Sequence, residues 1–122
     1  MQHTPVEIRL RKSAHMLAVA FEDGSRYELP FEYLRVHSPS AEVKGHGPGQ
    51  GTLVLGKENV GILRVEPVGR YAVRLVFDDG HDTGLYSWDY LHELGREQER
   101  KWRAYLDRLA ALGYARRERN GE

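Results

Sequence analysis

FEDGSRYELPFEYL, residues 21–34, and FDDGHDTGLYSWDYL, residues 77–91, carry one frame twice. The frame is Phe, an acid, Asp-Gly, a Leu, and then aromatic–acid–Tyr–Leu, with one extra residue before the helix in the second stretch. Asp23-Gly24 and Asp79-Gly80 are tight hairpin turns between alternating apolar runs. Leu17, Val19 and Phe21 lead into the first turn, and Tyr71, Val73, Leu75 and Phe77 into the second. Their period of two is that of half-buried strands. Tyr27 and Leu29 face inward on the first return strand, and Leu85 precedes the second helix. Pro30 opens a short helix over residues 31–35, because Pro at a first helical position loses no hydrogen bond. Ser87 caps the equivalent helix at residues 88–91. An internal repeat of this kind implies that each unit needs the other to cover its apolar face.

Working outward, Val6, Ile8 and Leu10 alternate with charged residues as a further strand. Residues 52–56 read as a short strand, and residues 60–68 as another, with Ile62 or Leu63 and Val65 as core candidates. From Arg96 to Leu112, Trp102, Tyr105 or Leu106, Leu109 and Leu112 form one helical stripe. Gly95 marks a bend before this helix and Gly113 stops it. The fold expected is α+β: two pseudo-repeated β-hairpin units forming a twisted sheet or small barrel-like core, with short helices and a long C-terminal helix. The 122 residues fit a single domain, with a core of about 5–113 and a flexible tail at 114–122.

Composition narrows the function classes. Eighteen basic and eighteen acidic residues balance to zero net charge, so no global field recruits nucleic acid or an anionic membrane. Cysteine is absent, which removes disulfides, thiolate metal sites and cysteine nucleophiles, and fits a cytoplasmic protein. The N-terminus lacks the pattern of a secretory signal, and no apolar run approaches the roughly 20 residues of a membrane span.

The connection over residues 33–51 has no hydrophobic period and holds His37, His46, Pro39, Pro48 and four alternating glycines. Long connections of this sort in a compact domain are usually functional or mobile. Gly45, Gly47, Gly49 and Gly51 either supply positive φ in a surface loop or line an anion-binding nest with Lys44 and His46 beside it. Gly51 to Lys57 has the glycine–lysine spacing of a phosphate-binding loop. Glu58 stands where that loop needs a hydroxyl, so a strand entering a Gly56-Lys57 turn is the preferred reading. His81 follows the second turn between Asp79 and Asp82, at the position of Ser25 in the first copy. With His37 and His46 it is either one of three loop histidines or part of a Zn²⁺ or Fe²⁺ site. The acid pairs Glu22/Asp23 and Asp78/Asp79 are explained as turn acids. No nucleophile, base and electrophile converge, so no enzyme is expected.

The blocks LRVHSPSAEVKGHGPGQG and FDDGHDTGLYSWDYLHELGREQERKWRAYLDRL, in that order, resemble the gamma-butyrobetaine hydroxylase-like N-terminal domain family, in its free-standing bacterial form. The resemblance covers residues 6–113. In the carnitine-pathway hydroxylases the domain precedes a 2-oxoglutarate and Fe²⁺ dioxygenase barrel. That barrel is not expected in a chain ending soon after the domain, and no His-x-Asp motif is present. Hydroxylase activity is therefore not implied. The family's structural zinc is held by a Cys-x-Cys-x-x-Cys run and a later histidine. Those positions fall on Ser38, Ser40, Val43 and His81, and neutral serine is a poor zinc ligand, so that site reads as lost. The domain also occurs attached to P-loop ATPases carrying iron–sulfur clusters, which implies an accessory role in cluster or metal handling by association.

The expected function is a non-catalytic binding or protein-interaction module. Its partner surface is the 37–51 loop with Lys44 and the glycines, near His81, and its partner is a protein or a second copy of the chain. The alternative is a Zn²⁺- or Fe²⁺-binding accessory protein using His81 with His37 or His46.

Overall fold

The structure, a computed structural model, describes residues 3–39 and 53–117. It holds two three-stranded antiparallel sheets, each followed by a helix, and a final helix. The first sheet has the order β1 (Pro5–Arg11), β2 (Met16–Phe21), β3 (Arg26–Pro30) and leads into α1 (Phe31–Val36). The second has the order β4 (Ile62–Val68), β5 (Ala72–Phe77), β6 (Leu85–Ser87) and leads into α2 (Trp88–Arg96). A 14-residue helix, α3 (Gln98–Ala111), closes the order. The two sheets are separate and neither closes, which corrects the expectation of one twisted sheet or a barrel-like core. Each is too narrow to curl on itself; they meet through one shared core instead, with β1 lying against β4.

That core takes its side chains from both sheets and from α1 and α2. Leu17, Val19 and Phe21 of β2, and Val73, Leu75 and Phe77 of β5, are all at most 3% exposed. The central strand of each sheet therefore buries one face, as its period of two requires. At the edges, irregular pairing redirects residues. The register shifts between Pro5 and Glu7, and again between Ile62 and Arg64. Each shift is a β-bulge that turns its extra residue outward. Val6 and Leu63 are thus 59% and 50% exposed, and Ile62 is the buried member of the Ile62/Leu63 pair.

Three further expectations are corrected. Tyr71 is not part of β5 but stands exposed in the turn before it, with its carbonyl accepting from Trp88 N. The Leu of the shared frame is not equivalent in the two stretches: Leu85 is exposed and Tyr86 buried, because Tyr86 pairs with Val73 as Leu29 pairs with Leu17. The described part of the expected strand at 52–56 forms no ladder; the Val54 carbonyl instead accepts from the Tyr105 hydroxyl at 2.6 Å.

The helix ends follow their local chemistry. Ser87 Oγ accepts from Tyr90 N at 3.0 Å, the N-cap bond expected of it. Gly95 does not bend the chain: α2 runs through it to Arg96. A Cβ on Gly95 would collide with the Tyr27 ring, so glycine is there for close packing of α2 on β3. Gly113 has φ +74° and ends α3 with bonds from Gly113 N to Ala110 O and from Tyr114 N to Leu109 O. That pair is the Schellman motif. Of the α3 stripe, Tyr105 and Leu109 are buried, while Leu106 and Leu112 remain exposed. The segment expected to fray is held over residues 114–117. The Tyr114 hydroxyl and Arg117 N both donate to Glu58 Oε2, and Arg116 pairs with Glu32 and lies over the Trp102 ring.

Candidate functional site

The two hairpin turns are built alike. Gly24 and Gly80 adopt φ +91° and +90°, and the aspartate before each accepts a bond from the residue after it. Asp23 Oδ1 accepts from Ser25 N at 2.8 Å, and Asp79 Oδ1 from His81 N at 3.1 Å. A second set of bonds crosses between the halves. Arg35 of α1 reaches Asp79, with Nε 2.8 Å from Oδ2, and His92 of α2 reaches Asp23, with Nε2 2.9 Å from Oδ2. Tyr33 of α1 donates to Leu94 O at 2.6 Å, and Tyr90 of α2 donates to His37 O at 2.5 Å. Each helix therefore ties itself to the other half at two points.

Around the second turn these bonds make a dense polar cluster. Asp79 Oδ2 is also 2.7 Å from Lys57 Nζ. Burial opposes ionisation of Asp79, yet the Lys57 ammonium, the His81 N–H and the Arg35 guanidinium outweigh it and hold its carboxyl below the ordinary range. His81, 5% exposed, places Nε2 2.9 Å from Ser38 Oγ. Tyr86 bonds to Ser38 as well, and its hydroxyl donates to Leu34 O at 2.6 Å; burial above all pushes its phenol pKa up. Gly84 gives Ser38 room: a Cβ there would press on the serine oxygen.

His81 and Ser38 thus meet, as the resemblance in sequence places them. The pair does not suit the zinc of the resembled domain, because a neutral hydroxyl replaces a thiolate and already bonds the imidazole nitrogen. His37 lies at the end of α1 and donates from Nδ1 to Tyr33 O at 2.9 Å. Burial, opposed by that carbonyl and reinforced by Lys101 and Arg108, lowers its pKa. Ser40, Val43, Lys44, Gly45, His46, Gly47, Gly49 and Gly51 lie outside the described residues. Lys57, which matched the spacing of a phosphate loop, and Glu58, which broke it, bond to Asp79 and to the 114–117 segment, and a strand rather than a helix follows them.

Around the first turn the chemistry differs. His3 stacks on His92 with ring centres 3.6 Å apart and planes within 17°. Asp89 Oδ1 accepts from His3 N at 2.6 Å and lies 2.9 Å from its Nδ1. His3, Asp23 and His92 bring a ligand atom each within 4.8 Å of one another, the one such group of three among the described residues. Sequence reasoning missed this group. His92 follows Tyr90-Leu91 as Arg35 follows Tyr33-Leu34, and that correspondence was its only signal.

The family described as gamma-butyrobetaine hydroxylase-like, N-terminal, matches residues 8–92. Among curated proteins none matches the chain. One NMR solution structure is 46% identical over 100% of this chain and 98% of its own, with a TM-score of 0.82. A second is 45% identical over 97% of this chain and 88% of its own, also at 0.82. A crystal structure of a protein with unknown function from Acidithiobacillus ferrooxidans ATCC 23270, of the DUF971 family, is 41% identical. It covers 75% of this chain and 92% of its own, with a TM-score of 0.64.

Proposed function

The chain belongs to the gamma-butyrobetaine hydroxylase-like N-terminal family, and on that premise we propose that it is a non-catalytic interaction module that presents its 37–51 loop to a protein partner. The observation that carries this reading is how the loop is moored. Ser38, at its start, bonds to His81; Lys57, just past its end, bonds to Asp79, which Arg35 also holds. The described residues on either side of the connection, Ser38 and Lys57, are therefore both bonded to the second turn. Connections whose ends lie close together on a rigid base are disproportionately sites of recognition. The partner is a protein, or a second copy of the chain approaching along a sheet edge. The two strand–turn–strand–helix halves, on the same reading, are copies of one duplicated unit.

The test exchanges residues 42–50 for a glycine–serine linker of equal length. Affinity capture from cell extract and light scattering of the purified protein are compared before and after. A partner or self-association lost with the exchange, at unchanged thermal stability, is the expected outcome. One that survives the exchange places recognition elsewhere and ends the proposal.

A second reading is a Zn²⁺ or Fe²⁺ site at His81 completed by His37 or His46. Its support is that the segment leading to His46 leaves from beside the His81 ring, through Ser38. Elemental analysis of tag-free His81→Ala protein tests it: metal content unchanged from the parent counts against it.

A further inference from the structure

The geometry points to a divalent transition-metal site, of the Zn²⁺ class, held by His3, Asp23 and His92 beside the first hairpin turn. It is separate from the His81 cluster and uses none of its residues. Two imidazoles and one carboxylate form the nitrogen–oxygen donor set that borderline cations prefer, while Mg²⁺ and Ca²⁺ seek sites of oxygen alone. The three ligand atoms already lie within 4.8 Å of one another; bonds of about 2.0–2.2 Å at tetrahedral angles would draw them to about 3.4 Å, a shift that the accessible His3 and Asp23 side chains can make.

The surrounding contacts orient each ligand. Asp89 takes the Nδ1 side of His3, the outer carboxylate that commonly fixes a metal-binding imidazole, and leaves Nε2 for the ion. His92 is held between Phe21 and Tyr27, with ring centres 4.9 and 5.5 Å away, so binding turns the more exposed His3 ring out of its stack on His92. Ser25 fixes Asp23 by bonds from both its backbone N and its hydroxyl to Oδ1, which leaves Oδ2 facing His92. His92 Nε2 and Asp23 Oδ2 now bond directly, 2.9 Å apart, and would open by a few tenths of an ångström for an ion to bind both, which replaces that hydrogen bond.

The face is open. Asp23 is half exposed, and a cleft lined by Thr4, Pro5, Arg70, Tyr71 and Trp88 adjoins His3 and Asp89. Three protein ligands beside such a cleft leave the fourth tetrahedral position to water or to an anionic group.

The experiment titrates tag-free, full-length protein with Zn²⁺ by calorimetry and with Co²⁺ by visible absorption, at pH 7.5. One-to-one saturable binding is expected. His3→Ala and Asp23→Asn, both at accessible positions, are each expected to weaken it at least about 100-fold, and Asp89→Asn, acting through His3, about 10-fold. His81→Ala is expected to leave it intact. Absence of saturable binding, binding that survives both His3→Ala and Asp23→Asn, or binding lost in His81→Ala would each overturn the assignment. Because His92 is buried, its substitution is left out of the test and circular dichroism accompanies every variant.

Discussion

Asp23 and Asp79 occupy matching turns, yet their surroundings assign them different tasks. Asp79 faces Arg35, whose side chain is 10% exposed, and Lys57. Removing its charge strands a buried guanidinium, so Asp79→Asn is expected to cost about 3 kcal/mol in urea unfolding. The more open Asp23 faces a histidine that need not be charged, so Asp23→Asn is expected to cost less. A cost for Asp23→Asn equal to or above that for Asp79→Asn would refute this ranking. The sign of the pH dependence follows from the depressed pKa of Asp79. Its stabilisation is complete above the unfolded carboxyl pKa, near 4, and is lost as pH falls through the lower folded value. Below about pH 4 the parent should therefore lose stability more steeply than Asp79→Asn, as thermal melts at pH 3 and 6 can show. Sequence showed both aspartates as turn residues, but which helix side chain would reach each turn was not legible, since those pairs span 44 and 69 residues.

Helix α2 depends on a missing side chain. Glycine inside a helix ordinarily costs about 1 kcal/mol relative to alanine, but at Gly95 the added methyl would meet the Tyr27 ring. Overpacking of 1–3 kcal/mol outweighs the propensity gain, so Gly95→Ala is expected to lower the melting temperature. Tyr27→Ala in the same chain should make the glycine substitution favourable; a glycine substitution that is neutral in the parent would sink this account. The hydroxyls of Tyr33 and Tyr90, donated to backbone oxygens of the opposite half, should each be worth about 1 kcal/mol on change to Phe. At this scale the period of two found the inward residues of β2 and β5. It failed at Val6 and the 53–56 stretch, where a bulge and a side-chain bond to the backbone reset which way a residue points, and the shared frame failed at Leu85, where an added residue shifts the inward position to Tyr86.

For the whole molecule, one core runs through both sheets, and the helices cross-bond the halves. Neither half covers its own apolar face, so they should unfold together. Calorimetry is expected to give a single transition whose van't Hoff and calorimetric enthalpies agree. Two resolved transitions would show that each sheet-and-helix unit stands alone. No helix among the described residues is long and apolar enough to cross a membrane.

By itself the sequence determined what local chemistry controls: the two Asp-Gly turns, the alternating central strands, the Ser87 cap and the Gly113 stop. Each depends on neighbours a few residues apart, so composition and spacing suffice. Only the tertiary structure decided that the sheets stay separate, that Tyr86 takes the place of Leu29, and that His3, Asp23 and His92 converge. Those outcomes depend on how two apolar faces pack and on which distant side chains that packing brings within bonding distance, and no local period encodes either.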